Sequence, residues 1–268
     1  MVPMPNQLHM SNNIHKTAII SEDVTLGNNV TIGPYAVIEG PVTIGDNVTV
    51  GAHVVIEGHT TIGRGCQFFS SAVIGAPPQD KKHHKDDKVF LTIGENNIFR
   101  EFVTANPGTI DGGGTTTIGN NNLFMACAHI AHDCQVGSDC VMANYVGLSG
   151  HVTVEDRAII GGLSGIHQFV RVGYMSIVGG CSKANQDVLP YSLVDGSPAT
   201  LRGLNIVGLK RALMPTETQM ALRRAFKTLF NEGLNRSHAV SIVKEQMSNI
   251  PEVVRVLEFI ALSKRGIA

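Results

Sequence analysis

The chain has 268 residues, a formal net charge of -1, 29 glycines and no tryptophan. A chain of this length can bury a sizeable core. Its near-neutral charge gives no electrostatic signature of binding to nucleic acid or to an anionic membrane, so neither partner is expected. The N-terminal segment "MVPMPNQLHMSNN" has no apolar run after a basic start, and no later window is long and apolar enough to span a bilayer. The five cysteines are odd in number and lack paired CxxC spacing, which fits reduced thiols, so these features predict a cytoplasmic protein without stable membrane insertion.

An aliphatic or aromatic residue recurs every six positions over residues 14–74 and, after two interruptions, over residues 118–178. This is the hexapeptide signature of a parallel β-helix, in which each unit supplies one short strand and one turn. Three units make one coil, so residues eighteen apart stack on neighbouring coils about 4.8 Å apart. Proteins with this pattern wind left-handed into a triangular prism. The interruptions, residues 75–92 and 107–117, are predicted to be loops outside the repeat.

Beyond residue 190 the six-residue period ends and the apolar spacing becomes helical, as in "PTETQMALRRAFKTLFNEG" and "PEVVRVLEFIALSKRG". The predicted fold is therefore an all-β left-handed parallel β-helix with a C-terminal α-helical domain. The predicted domains are residues 1–190 for the β-helix and residues 191–268 for the helices.

Histidines are concentrated in the second run of the repeat. The stretch "AHIAHDCQVG" contains His129 and His132. Eighteen residues beyond His132 lies Gly150, whose backbone N–H is accessible because glycine has no side chain, and His151 follows it. A further coil brings His167 in "IHQFVR". The repeat therefore predicts a histidine facing an accessible amide one coil away.

Three functions compete for this cluster. An imidazole that titrates near neutrality can take a proton from a hydroxyl nucleophile while a nearby amide stabilises an oxyanion. Alternatively, three histidines could bind zinc, as in the gamma-class carbonic anhydrases, if three ring nitrogens converge at about 2.1 Å. A scaffold or ice-binding β-helix would instead show flat rows of repeated Thr-x-Thr, which the scattered threonines here do not form.

Several segments resemble, in order, those of the UDP-N-acetylglucosamine O-acyltransferases, which catalyse the first step of lipid A biosynthesis. They are "QDKK", "NNLFMACAHIAHDC", "LSGHVTV", "AIIGGLSGIHQF", "VGGCSKANQDV" and "GLNIVGLKRA". The resemblance covers essentially the whole chain, including both interruptions and the helical tail. It implies transfer of a 3-hydroxyacyl group from the thioester of acyl carrier protein to the 3-hydroxyl of UDP-N-acetylglucosamine, without a metal or other cofactor.

The resemblance also implies roles for individual residues. His132 matches the general base, Asp133 matches the carboxylate that orients it, and the amide of Gly150 matches the group that polarises the thioester carbonyl. Because neighbours in a straight strand point to opposite faces, His132 and Asp133 can pair only at a corner of the repeat. The positions that match substrate contacts are Gln79, Asp80, Lys82, His129, His151, His167, Gln168, Asn205 and Arg211.

Two further positions match an acyl-chain ruler. Gly180 matches the floor of the acyl groove, where a bulky side chain would shorten the chain accepted, and Pro198 is the next position in line. An open floor predicts a long acyl group of about twelve to sixteen carbons, since each buried methylene adds about 0.8 kcal/mol. The resemblance further implies a homotrimer with its sites between neighbouring prisms.

The chain departs from the family pattern at three positions. Asn106 and Pro107 stand where many members have histidine and arginine, and Val207 replaces an acidic residue near the nucleotide. These changes leave open whether the preferred acceptor carries oxygen or nitrogen at its 3-position.

Overall fold

The computed structural model describes residues 11–230 and 233–268. The chain divides into two compact units, of which the first ends at Asp133 and the second begins at Cys134. Residues 1–10, which make up most of the N-terminal segment predicted not to be a secretory signal, lie outside the described range. Within that range, no helix is long and apolar enough to cross a bilayer.

Short parallel strands build the first unit. Their bounds are β1 Asn13–Ile14, β2 Ile19–Ile20, β3 Thr25–Leu26, β4 Thr31–Ile32, β5 Val37–Glu39, β6 Thr43–Ile44, β7 Thr49–Val50, β8 Val55–Glu57, β9 His59–Ile62, β10 Gln67–Phe68, β11 Val73–Ile74, β12 Phe90–Ile93, β13 Ile98–Phe99, β14 Thr104–Ala105, β15 Thr115–Ile118, β16 Leu123–Phe124 and β17 His129–Ile130. Within this unit they form three parallel sheets, ordered β1-β4-β7-β10-β13-β16, β2-β5-β8-β11-β14-β17 and β3-β6-β9-β12-β15.

The register follows the predicted coil of eighteen residues. Thr31 pairs with Thr49, and Val37 pairs with Val55. The offset grows only where an interruption intervenes, since Gln67 pairs with Ile98. From Ile32 onward the recurring apolar residue of each six-residue repeat is almost fully buried, whereas Ile14 in the first coil is 44% exposed. Along most of the repeat, the six-residue period is therefore a period of burial. Stacking of these side chains between coils supplies the core that a single six-residue repeat lacks.

Most strands end in a turn whose third residue beyond the inward apolar position is left-handed. Examples are Tyr35 at φ 57° and Phe102 at φ 58°. A left-handed residue reverses the usual alternation of side chains, so consecutive residues at a turn can project outward together. The turns of the repeat are therefore the places where outward-facing groups can meet.

Both interruptions are loops. The first joins β11 to β12, so the repeat resumes at Phe90, and the second joins β14 to β15 at Thr115. The second loop contains one turn of 3-10 helix, Ile110–Gly112, and the Thr109 side chain caps its N-terminus.

The second unit begins with the same repeat and ends in helices. Its elements are β18 Gln135–Val136, β19 Val141–Met142, β20 Gly147–Leu148, β21 Thr153–Val154, β22 Ile159–Ile160, β23 Gly165–Ile166, β24 Arg171–Val172, β25 Ile177–Val178, β26 Lys183–Ala184, β27 Ser192–Asp195, β28 Thr200–Leu204, α1 Ile206–Arg211, α2 Thr216–Leu229, α3 Arg236–Met247 and α4 Pro251–Leu262. Its sheets run β19-β22-β25-β27-β28, β20-β23-β26 and β18-β21-β24. Strand β28 is antiparallel to β27 and leads into the helices, whose buried faces share one apolar cluster.

Candidate active site

The turn after β17 places His132 beside Asp133. Ile130 points inward and is fully buried, and Asp133, three residues later, is left-handed with φ 60°. His132 Nδ1 lies 2.7 Å from Asp133 Oδ2, with side-chain exposures of 15% for His132 and 1% for Asp133. The expectation that the pair occupies a corner of the repeat is confirmed.

The second loop encloses the Asp133 carboxylate. Thr109 donates its backbone N–H to Oδ1 at 2.8 Å and its hydroxyl to Oδ2 at 2.7 Å. The backbone N–H of Asp133 donates to Thr116 Oγ1 at 2.7 Å. A carboxylate that accepts several hydrogen bonds is held in one orientation. Sequence reasoning missed both threonines, although they lie in "GTIDGGGTTT" and long loops in a compact repeat often carry binding groups.

Hydrogen-bond logic assigns the tautomer of His132. An ionised carboxylate only accepts, so the proton between His132 and Asp133 belongs to Nδ1 of the imidazole. In the neutral ring, Nε2 is then the nitrogen that bears the lone pair. This arrangement can remove a proton from a hydroxyl group, with the aspartate stabilising the resulting imidazolium.

His129 precedes the pair on β17, where it pairs in register with Thr104 of β14. The Thr104 hydroxyl lies 2.7 Å from His129 Nδ1. Burial lowers the pKa of His129, and the neighbouring His132 lowers it further. The lowered pKa favours the neutral imidazole, in which His129 can serve as a hydrogen-bonding group.

The first loop contributes to a pocket of about 310 Å³ in the same unit, which is lined by Asp80, Lys82, His83, His84, Asp87, Thr109, Ile110 and Asp111. Lys82 Nζ is 3.8 Å from Asp111 Oδ2, and Asp80 Oδ1 accepts the backbone N–H of Lys82. Gln79 is exposed beside them. Thr109 thus lines this pocket and also donates hydrogen bonds to the carboxylate of Asp133.

Asn106, one of the departures from the family pattern, ties the two loops together. Its Nδ2 donates to the carbonyl oxygens of Ala76 at 2.9 Å and Pro77 at 3.3 Å, and the residue is 3% exposed. Asn106 therefore has a structural role, which is to hold the first loop through these hydrogen bonds.

Four predicted site residues lie on turns of the repeat in the second unit. Gly150 is buried, and its carbonyl accepts the N–H of Phe169. The ring of His151 stacks on Phe169 with centroids 4.5 Å apart. His167 Nδ1 lies 3.1 Å from the carbonyl oxygen of Gln168, whose side chain is exposed.

Asn205 and Arg211 occupy the two ends of α1. Asn205 is 3% exposed and caps the helix by accepting the N–H of Gly208 at 2.9 Å. Its Nδ2 donates to the carbonyl of Met175 at 2.8 Å, so its side chain is engaged within the protein. Arg211 is exposed at the C-terminal end, as is Val207 nearer the start.

The two ruler positions are both at the surface of the second unit. Gly180 is exposed, and a Cβ added there would meet only the Gly162 backbone, at 3.3 Å from its carbonyl oxygen. Pro198 is exposed in the turn between β27 and β28.

The fold and the repeat place the chain in the class of hexapeptide-repeat transferases. The family described as bacterial transferase hexapeptide matches residues 23–58 and 115–150. A second family, described as UDP N-acetylglucosamine O-acyltransferase domain 2, matches residues 187–268.

Full-length relatives narrow the class to one family. Acyl-[acyl-carrier-protein]–UDP-N-acetylglucosamine O-acyltransferase of Aliarcobacter butzleri is 48% identical over 96% of this chain and 98% of its own. The protein of the same name from Xylella fastidiosa is also 48% identical, over 94% and 96%. The solved LpxA structure from Acinetobacter baumannii superposes with a TM-score of 0.92 at 39% identity, covering 95% of this chain and 99% of its own. The chain therefore belongs to the acyl-[acyl-carrier-protein]–UDP-N-acetylglucosamine O-acyltransferase family and is an acyltransferase. The predicted fold class, a left-handed parallel β-helix with C-terminal helices, is confirmed by the same likeness.

Proposed function

We propose that this enzyme transfers a 3-hydroxyacyl group from acyl carrier protein to the 3-hydroxyl of UDP-N-acetylglucosamine, the first step of lipid A biosynthesis. His132 acts as general base through Nε2, taking the proton of the sugar hydroxyl as its oxygen attacks the thioester carbonyl. The Asp133 carboxylate stabilises the imidazolium. The observation that supports this role is the 2.7 Å contact from Nδ1 to Oδ2, because it sets the tautomer that leaves Nε2 basic.

The remaining steps follow from the chemistry of acyl transfer. Attack gives a tetrahedral oxyanion, to which we assign the N–H of Gly150 as hydrogen-bond donor. Collapse breaks the carbon–sulfur bond, and the imidazolium of His132 returns its proton to the departing thiolate. The mechanism leaves the histidine neutral, forms an ester on the sugar, and uses neither metal nor cofactor.

Substrate contacts are assigned from the family resemblance and the pocket of the first loop. Asp80 and Lys82 line that pocket, which shares Thr109 with the His132–Asp133 pair. A polar pocket with both charges suits a sugar nucleotide better than the acyl chain. We assign Gln79, His129, His151, His167, Gln168, Asn205 and Arg211 to the same substrate.

We further propose that the enzyme is a cytoplasmic homotrimer. Apolar side chains stand exposed on turns of the repeat in each unit: Tyr35 and Phe102 are 58% and 60% exposed, and Tyr145 and Leu163 are 61% and 64% exposed. Exposed apolar residues in such number are typical of a surface that binds a partner. A second and third copy of the chain would bury them.

The reaction is tested with purified protein and a panel of acyl carrier protein thioesters, offered with UDP-N-acetylglucosamine or its 3-amino analogue. Ester formation on the 3-hydroxyl sugar supports the proposal. Preference for the 3-amino sugar would instead establish the alternative acceptor, in line with the departures at Asn106 and Val207. No transfer to either sugar would refute the proposal.

The zinc alternative makes a separate prediction about metal content. In the first unit, Nδ1 of His129 and Nδ1 of His132 contact Thr104 and Asp133, so a metal would have to use the Nε2 atoms. Elemental analysis that finds about one zinc per chain, together with loss of activity on chelation, would favour a metal-bound hydroxide mechanism over the histidine base.

A further inference from the structure

We infer that Thr109 and Thr116 are positioning residues for the reaction, and that they act by holding Asp133 in the orientation that His132 requires. The inference rests on the proposed general-base function. Both threonines belong to the second loop and the strand that follows it, and each contacts Asp133 directly. The second loop is thus part of the catalytic apparatus without touching the reacting atoms.

Thr109 controls the rotation of the carboxylate. Its N–H and its hydroxyl bond to different oxygens of Asp133, at 2.8 Å and 2.7 Å. Two bonds from one residue fix a planar group more firmly than one. The same hydroxyl oxygen accepts the N–H of Gly112 at 3.2 Å, so its only hydrogen is directed to Oδ2.

Oδ2 is the oxygen that faces His132 Nδ1, at 2.7 Å. The Thr109 hydroxyl and the imidazole therefore donate to the same atom. A rotation of the carboxylate that breaks one of these bonds would also misalign the other. Through Oδ2, Thr109 sets the direction of Nε2 on the far side of the ring.

Thr116 controls the backbone instead. Thr116 lies in β15 and is fully buried. Its hydroxyl oxygen accepts the backbone N–H of Asp133 at 2.7 Å. Asp133 has φ 60°, in the left-handed region that residues with a side chain adopt less readily than glycine. The bond to Thr116 helps to hold this conformation, on which the alignment of Asp133 with His132 depends.

Gly112 shows how closely the loop covers the carboxylate. A Cβ built on Gly112 would lie 2.1 to 2.2 Å from the carboxyl atoms of Asp133, far inside any real contact. Glycine is therefore required here for close approach. A methyl group at this position would displace the carboxylate without removing either donor of Thr109.

The first test compares Thr109→Val with Thr109→Ser. Valine removes the hydroxyl at nearly equal volume, and we expect kcat to fall about 10- to 100-fold, since a hydrogen bond to a charged group is lost. KM for the sugar nucleotide should change less than about threefold. Serine restores the hydroxyl and should recover kcat to within about threefold of wild type. The matched control is Thr92→Val, which changes an exposed threonine of β12, the strand that pairs with β15.

The second test places each change in an Asp133→Ala background. Residues that act only through Asp133 should have almost no further effect there, so Thr109→Val and Gly112→Ala should each lower kcat less than about threefold. In the wild-type background both should lower kcat at least tenfold. Equal losses in the two backgrounds would overturn the inference, as would wild-type kcat in a folded Thr109→Val protein.

These outcomes are separable from failure of the proposed function. If His132→Ala keeps its activity, the general-base role itself is wrong. If His132→Ala and Asp133→Ala are impaired while Thr109→Val is not, only the positioning role is wrong. Should Thr109→Val fail to fold by circular dichroism, the Gly112→Ala pair of measurements decides.

Discussion

Single residues in this enzyme take their roles from the turns of the repeat. His132 and Asp133 are adjacent in sequence, yet their side chains meet because Asp133 is left-handed at φ 60°. In an extended strand the same two side chains would face opposite sides. The turn conformation therefore creates the pair, and the loop donors hold it.

His132→Ala should lower kcat by about 10² to 10⁴, because the base is lost while the pocket remains. Binding of UDP-N-acetylglucosamine, measured by calorimetry, should persist. His238→Ala on the exposed face of α3 is the matched control. A His132→Ala enzyme that retained more than a tenth of wild-type kcat would remove His132 from the mechanism.

Gly180→Met tests the acyl-chain ruler. The first carbon of the new side chain meets only the Gly162 backbone, with its nearest contact at 3.3 Å, so the substitution requires only a small local shift. If Gly180 forms the floor of the acyl groove, the optimum should move down by several carbons, with about 1 to 3 kcal/mol of discrimination against the original chain. The measurement is kcat/KM across acyl carrier protein thioesters of increasing length. If a folded Gly180→Met protein keeps the wild-type chain-length profile, Gly180 is not the ruler and Pro198 is the next position to test.

At the scale of elements, the stacked strands place like residues next to each other. Glu39 of β5 pairs in register with Glu57 of β8. Burial raises the pKa of Glu57, and repulsion from Glu39 raises it further. The folded state thus binds this proton more tightly than the unfolded chain does, so the associated stability is present at low pH and lost as pH rises through the raised pKa.

Glu57→Gln should therefore stabilise the protein at pH 7 and have no such effect near pH 4. We expect a gain of about 0.2 to 1 kcal/mol at pH 7, the usual scale for a cross-strand pair. Thermal unfolding at both pH values measures it, with exposed Glu22→Gln as control. A variant no more stable than wild type at pH 7 would show that the Glu39–Glu57 repulsion is screened by solvent.

Helix α2 presents two adjacent cations. Arg223 and Arg224 are exposed, and Arg224 lines a surface cavity of about 510 Å³ with Glu217 and Glu252. Acyl carrier protein is strongly acidic, so these arginines are candidates to meet it. Reversing both charges should raise KM for the carrier thioester and weaken its dependence on salt. Lys244→Glu on α3 controls for net charge, and an unchanged KM across salt concentrations would mark α2 as an ordinary solvated face.

At the scale of the whole molecule, the proposed trimer predicts the effect of a buried charge. Leu163 is 64% exposed in the single chain. Leu163→Glu should dissociate or weaken the trimer, because the interface would have to bury an unpaired carboxylate. Light scattering after size exclusion measures the mass, and Leu213→Glu, at a residue 88% exposed between α1 and α2, is the control. A trimer that survives Leu163→Glu with unchanged affinity would place the interface elsewhere.

The candidate active site was only partly predictable, because some of its contacts join residues that lie far apart in sequence. His132 and Asp133 stand out as neighbours in a repeat, and their corner position follows from its period. Thr109 and Thr116 do not stand out, because their contacts with Asp133 depend on the path of a loop that leaves the period. The capping role of Asn205 was likewise not predicted, because an asparagine can serve equally well as a helix cap or as a substrate contact.

The six-residue period, the coil of eighteen residues and the change to helices can all be read from the amino-acid sequence. These follow from which residues are apolar, because the spacing of apolar residues is a local property of the chain. The folded structure is needed to see that the second loop turns back to bond both oxygens of Asp133 and that Gly112 approaches them closely. The reason is physical: an interruption contributes no periodic core contact, so its path is set by polar groups that must find partners across the fold.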